Sequence, residues 1–286
     1  MTWPIVGIVL VGALLHASWN VVVKSSSDKA LDTVLIHLVG SLIALPLLAI
    51  VDLPPQQAWP FILASVVIHI AYYVALTGAY EHGDMGLTYP LMRGVAPMLV
   101  ALSATATLDE RLSLVAWTGV TGICVGVLVL GLSRHAFDNR RAVYFALANA
   151  VVIAIYTVVD GLGARAALAG GGNAVQYVVL LFVLDGWPFA LLVLARRGRG
   201  GRARVWAYAS SRWIHATGGA LASLGSYGIA LWAMTQAPVA LVAALREVSV
   251  LFAAILGVVF LKEAVTPHRV IGTCVIVVGV TALRLG

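Results

Sequence analysis

Two arginines lie deep inside apolar stretches of this 286-residue chain, Arg93 in residues 87–110 and Arg246 in the matching stretch of the second half. Arg93 stands about eight residues into its apolar segment and Arg246 equally deep, so at about 1.5 Å of helical rise per residue each sits about 12 Å down, near the middle of a roughly 30 Å hydrocarbon core. A guanidinium there costs about 2.5 kcal/mol at least, which forces it toward a bundle interior or a wet cavity. Two chemistries fit. One is a clamp for an anionic group, a carboxylate or a phosphonate, through paired hydrogen bonds. The other is a structural ion pair, most obviously with Glu247, a glutamate as deep as the arginines. Glu247 itself suits either a coupled proton or a counter-ion.

Other polar side chains fall at helical spacing. His16, Asn20 and Lys24 follow one another at four-residue intervals and make one polar stripe, with Trp19 beside it. The stripe fits a cavity wall, with Lys24 an interfacial anchor. His69 and Tyr73 share a face, and Tyr89 lies one turn before Arg93. Tyr156, Tyr227 and Trp232 are candidate aromatic walls, and Asp160 is expected to pair with Arg165. Pro90 and Pro97 flank Arg93. Proline cannot donate to the carbonyl four residues back, so a loosened helix is expected beside Arg93. Cys124 and Cys274 are read as small core residues, without metal spacing. No cofactor is expected.

The elements that must position these groups are apolar helices. Hydrophobic residues make up 61% of the chain and charged residues only 10%, against about 25% in soluble domains. Apolar segments of membrane-spanning length recur at approximately 3–23, 32–51, 59–80, 85–106, 114–132, 141–160, 174–195, 213–235, 238–261 and 268–284. The alternation of a transmembrane barrel is absent. The reading is an all-α membrane protein of ten transmembrane helices. The first segment lacks a basic start and a cleavage site and is read as a retained span. The net charge of +6 sits mostly in short loops, which topology and lipid explain without nucleic acid. Gly122 and Gly126, and Gly218, Gly219, Gly225 and Gly228, are expected at close helix contacts. Trp59, Trp206 and Trp213 suit an interfacial belt.

The chain also repeats itself. At a shift of 153 positions Arg93 meets Arg246, Glu110 meets Glu263, Gly119 meets Gly272 and Gly126 meets Gly279. Tyr73 meets Tyr227 after a one-residue slip. Each unit, 1–135 and 136–286, holds five spans. Five is odd, so the second unit enters the membrane from the opposite face and the halves form an inverted repeat, an architecture typical of secondary transporters with a midplane site. The echo is imperfect. Ala243 and Val250 stand where Pro90 and Pro97 would recur, and Glu247 stands where Gly94 would. Arg93, beside its loosened backbone, is therefore expected to be the substrate ligand and Arg246, beside Glu247, the more structural arginine.

The motifs Leu108-Asp109-Glu110-Arg111-Leu112-Ser113 and Leu261-Lys262-Glu263-Ala264-Val265-Thr266, each ending one span and starting the next, resemble the EamA family of the drug/metabolite transporter superfamily. The family often has glycine before that glutamate, where this chain has Asp109 and Lys262. The glutamates are expected to order their turns. Amino-acid exporters of the YddG type share the architecture, and the stretch from His16 to Asn20 also looks like a subgroup associated with phosphonate utilisation. The resemblance implies a secondary transporter, an exporter or exchanger of small polar metabolites and foremost amino acids, in a bacterial-type inner membrane. The alternative is a carrier of organic anions or phosphonates. An intramembrane enzyme is disfavoured, because His16, His37 and His69 lie on three spans without ligand spacing. The expected partners are a small-molecule substrate and the lipid bilayer, with no nucleic acid and a monomer as the simpler state. Basic residues crowd the loops after odd-numbered spans, which places both termini in the periplasm by the positive-inside rule, whereas the family is usually drawn with cytoplasmic termini.

Overall fold

The computed structural model describes residues 1–83, 85–131, 139–197, 202–261 and 266–285, with backbone alone for residues 85–87, 202–203, 257 and 260–261. No strand occurs among them. The helices are α1 (Trp3–Lys24), α2 (Lys29–Leu47), α3 (Trp59–His82, after one 3-10 turn), α4 (Met85–Thr107), α5 (Leu114–Gly131), α6 (Arg140–Ala169), α7 (Ala174–Arg197), α8 (Arg202–Met234), α9 (Val239–Arg246), α10 (Val248–Leu261) and α11 (Pro267–Leu285). Together α9 and α10 make one span, so the chain crosses ten times as two inverted five-span halves. Eight segments are long and apolar enough to cross a membrane by composition alone. The other two spans, α4 and α8, are less apolar because they carry polar groups inward, Arg93 on α4 and Ser223 and Tyr227 on α8.

Helix ends near lipid must satisfy their own backbone groups. Asp28 accepts from the Leu31 amide at 3.0 Å, Ser113 from Ala116 at 3.0 Å, and Asn139 from Arg141 at 3.1 Å. Asn173 accepts from the amides of Val175 and Gln176, and Gln176 Oε1 accepts in return from the Asn173 amide at 3.0 Å, a reciprocal cap at the start of α7. Gly171, at φ +87°, makes the turn into it.

The halves meet along α5 and α11 through reciprocal glycines. A Cβ on Gly119 would lie 2.9 Å from the Gly279 carbonyl oxygen, and one on Gly279 3.0 Å from that of Gly119. Gly126 and Gly272 face each other in the same way, at 2.9 and 2.8 Å. Gly119 corresponds to Gly272 and Gly126 to Gly279 in the repeat. The counterparts of two packed glycines therefore pack on each other, as a two-fold axis between antiparallel helices requires. The expectation for α8 holds only in part: Gly219 and Gly225 pack on Ile36 and Leu15, but Gly218 and Gly228 have nothing within 4 Å.

Other expectations are corrected. The helix that carries the eighth span begins at Arg202, about eleven residues before the expected span, and Val205 and Tyr208 of this extension pack with residues of α2 and α7. Two prolines leave α4 continuous, while the ninth span, free of proline between Val239 and Leu261, is interrupted at Glu247. There the Glu247 amide bonds to Ala244 O at 3.0 Å and Val250 N to Glu247 O at 2.9 Å, a tightened i to i+3 turn. Asp109 takes φ 51°, a left-handed conformation that glycine adopts freely and aspartate tolerates. Cys124 is buried, whereas Cys274 is exposed on the outer face of α11. Trp232 also points outward, 36% exposed. The belt candidates Trp59, Trp206 and Trp213 are all exposed.

Candidate functional site

A central cavity with an empty volume of about 510 Å³ collects side chains from seven spans. His16 and Trp19 come from α1, His37 from α2, His69, Tyr72 and Tyr73 from α3, and Tyr156 from α6. Phe182 and Asp185 come from α7, Ser223 and Tyr227 from α8, and Arg246 from α9. Its walls are mainly aromatic. His69 lies 4.6 Å from the Tyr156 ring, and His37 meets Tyr73 edge-on at 5.0 Å. Mostly apolar walls with a few placed polar groups are the usual make-up of a small-molecule pocket.

The two arginines have different partners. Arg93, 4% exposed, holds Glu247 with Nε–Oε2 at 2.7 Å. The pair is a close ionic contact without regular hydrogen-bond geometry at Nε and Oε2, and Nη2 has no hydrogen-bond partner. Arg246, 6% exposed, has no carboxylate within ion-pair distance among the described residues. Its guanidinium carbon lies 5.4 Å from the Tyr227 ring centroid, and its Nε is unsatisfied. The carboxylate expected beside Arg246 is therefore on Arg93: Arg93 is paired with Glu247, and Arg246 lines the central cavity without a carboxylate partner among the described residues. The two-fold axis gives the reason. It carries the contact of Arg93 with position 247 onto a contact of Arg246 with position 94, and residue 94 is a glycine packed against Leu128.

Among the other expected residues, His16, Trp19, His69, Tyr73, Tyr156 and Tyr227 all line the central cavity. Asn20 and Tyr89 line an adjoining one with Arg93, His16, Trp19 and Tyr72. Asn20 Nδ2 donates to the His16 carbonyl at 2.7 Å, and Trp19 Nε1 to His16 Nδ1 at 3.3 Å. Lys24 lines a third crevice with Asn20, Tyr89 and Arg269. These openings share walls and lead from the centre toward the face of the loop between α1 and α2.

The opposite half, on the side of the termini, holds part of the largest core cluster. Tyr177, Met234 and Val239 are each fully buried in the largest core cluster. Asp160 does not meet Arg165. It accepts from Tyr177 Oη at 2.8 Å and from Tyr227 Oη. Gly163 admits the Tyr177 ring, because a Cβ there would lie 2.3 Å from it. Arg165 instead reaches Glu110 at 2.7 Å and donates to the carbonyls of Met234 at 2.9 Å and Ala237 at 3.1 Å. Glu110 also accepts from the amides of Val239 and Ala240, at 2.9 and 3.4 Å. It thus caps α9 in the other half rather than its own turn, where the negative charge suits the helix N-terminus. Glu263, its repeat counterpart, lies outside the described residues.

Among the cavity residues that did not figure as expected ligands, Asp185 and His37 stand out. Asp185 accepts from Tyr73 Oη at 2.8 Å and lies 3.6 Å from His69 Nδ1. It is about 11 residues into α7, and an ionisable group at that depth is a functional candidate on the rule applied to Glu247. His37 bonds the Thr33 carbonyl at 2.8 Å and presents its ring to the cavity. The three histidines on separate spans thus reach one space, although no cluster of three metal-ligating side chains exists among the described residues.

No curated protein matches the chain. One solved crystal structure superposes with a TM-score of 0.71, covering 100% of this chain and 98% of its own at 17% sequence identity, a likeness of fold alone. The model of the EamA-like transporter family matches residues 3–132 and again residues 140–285. With both five-span halves matched, this multi-pass membrane protein belongs to the EamA-like transporter family.

Proposed function

We propose that the chain is a secondary transporter of small, polar, carboxylate-bearing metabolites, foremost amino acids, which it exports or exchanges by alternating access. The observation that carries this reading is Arg246, a buried guanidinium on the wall of the central cavity with no carboxylate partner among the described residues. An arginine held this way has donors free for a planar anion. Its place between the two halves suits a site that both faces reach in turn. The core cluster on the side of the termini and the string of cavities on the other fit one end state of such a cycle. Units 1–135 and 136–286 are the bodies that would move.

The basic loops lie on the face toward which the cavities lead. With that face cytoplasmic by charge, the termini are periplasmic and the conformation is inward-facing, in an inner membrane of bacterial type. The reading needs only the lipid bilayer and a small-molecule substrate, and a monomer contains the whole cavity.

Uptake of labelled amino acids into proteoliposomes, with and without a pH gradient, tests it. Arg246→Gln should abolish transport while the protein remains monodisperse. Full transport by that variant would remove Arg246 from the site. A phosphonate of matched size in the same panel separates amino-acid transport from the organic-anion alternative.

A further inference from the structure

We propose that Asp185 receives the ammonium group of the substrate, which makes the cavity a receptor for zwitterions rather than for anions. The proposal rests on the reading of Arg246 as the carboxylate site and adds the opposite pole. Asp185 stands on the cavity wall with its side chain 13% exposed. One carboxylate oxygen takes the Tyr73 hydroxyl, and the other, Oδ1, has no hydrogen-bond donor. The nearest side-chain nitrogen is His69 Nδ1 at 3.6 Å, beyond hydrogen-bonding length, and that nitrogen lies 3.2 Å from Ser65 Oγ. No lysine or arginine comes within 4 Å of Asp185 among the described residues.

A buried carboxylate with an empty acceptor and no cation is costly unless something supplies the missing charge. What surrounds it suits a small cation. Tyr73 stacks on Phe189 at 4.6 Å, Tyr72 meets Tyr73 edge-on at 5.1 Å, and such rings attract ammonium groups. The other charged and titratable groups of this space are accounted for. Arg93 is held by Glu247, and Asp160 by two tyrosines. His16 takes the Trp19 indole and His37 the Thr33 carbonyl. What lines the central cavity is one charge of each sign with no arginine, lysine or carboxylate partner among the described residues, Arg246 and Asp185. An anion alone answers the first and worsens the position of the second. An amine-bearing carboxylate answers both.

Matched pairs test this in proteoliposomes: alanine against lactate, leucine against 2-hydroxy-4-methylpentanoate, and phenylalanine against phenyllactate. Each pair differs only in amine against hydroxyl. The wild-type protein should take up at least one amino acid roughly tenfold or more faster than its hydroxy acid, the scale of one charge-assisted hydrogen bond. Asp185→Asn keeps the shape and should collapse that ratio toward one, mainly by slowing the amino acid. Arg246→Gln should slow both members of the pair. Thermal unfolding and elution volume check that each variant is folded, and Asp185→Glu supplies a second variant that keeps the charge and should retain the preference. If Asp185→Asn slows both members equally, or the wild type does not prefer the amine, the ammonium site is overturned while the Arg246 reading stands. If the wild type carries no member of any pair, both are overturned.

Discussion

Replacing Glu247 by glutamine should destabilise the protein more than any change at Arg246, although the two residues are neighbours in sequence. The Arg93–Glu247 contact is 2.7 Å long and both side chains are 5% exposed. At an effective dielectric of about 20 the attraction is on the order of 5 kcal/mol, and desolvation of the two ions offsets much of it. The net worth of the intact pair is therefore small, while removal of one partner leaves the other charged and buried. That costs about 3–5 kcal/mol. Arg93 has no reserve, because its Nη2 already lacks an acceptor. At roughly 2 °C per kcal/mol for a chain of this size, Glu247→Gln should lower the unfolding temperature in detergent by about 6–10 °C. The double variant Arg93→Leu with Glu247→Leu should recover most of that loss, giving a coupling energy of about 2 kcal/mol or more in a double-mutant cycle. Arg246→Gln removes a cation without a carboxylate partner among the described residues and should leave the unfolding temperature within about 2 °C. A Glu247→Gln shift under 2 °C, or a double variant no more stable than the single one, would refute the assignment of the pair.

Glu110→Ala removes the cap of α9 and strands Arg165, so it should cost about 3 kcal/mol or more, read as thermal unfolding, and release the half on the side of the termini to proteolysis. Gly126→Ala forces a Cβ to 2.9 Å from a backbone oxygen and should destabilise by about 2 kcal/mol or more, whereas Gly218→Ala meets nothing and should stabilise by up to about 1 kcal/mol. Asp109→Gly should gain about 1 kcal/mol or less and Asp109→Val lose 1–2 kcal/mol, because only the left-handed conformation is at issue. An alkaline phosphatase fused to the C-terminus should be active if the termini are periplasmic, and an inactive fusion would overturn the orientation read from the basic loops.

The fold was legible because lipid makes sequence speak plainly. Apolar runs of spanning length, an odd number per half and a repeat with a fixed shift lead to the inverted architecture. The site was legible in its members but not in its pairings. Apart from Arg165 and Trp232, the polar and aromatic-wall residues singled out along α1, α3, α6, α8 and α9 reach the central cavity or one adjoining it, or pair with one that does. What misled was adjacency. Asp160 and Arg165 are five residues apart, yet they point to different neighbours, since a helix turns 100° per residue and five residues bring the side chains to different faces.

The different partners of the two arginines follow from the same repeat that first marked them. Under an inverted repeat, contacts between halves come in swapped pairs, as the glycines of α5 and α11 display. A carboxylate present in one half alone can then neutralise only the arginine of the other half. Glu247 has no counterpart at Gly94, so Arg93 gains a partner and Arg246 loses the equivalent one. The departure from symmetry, more than the symmetry, sets the chemistry. A glutamate introduced at Gly94 would restore the swap in principle, but that position packs against α5, where a Cβ would lie 2.8 Å from Leu128. The fold thus keeps a carboxylate from Arg246 by leaving no room for one, and a guanidinium kept free in this way on the wall of a transporter's cavity is placed to meet an anion that arrives and leaves.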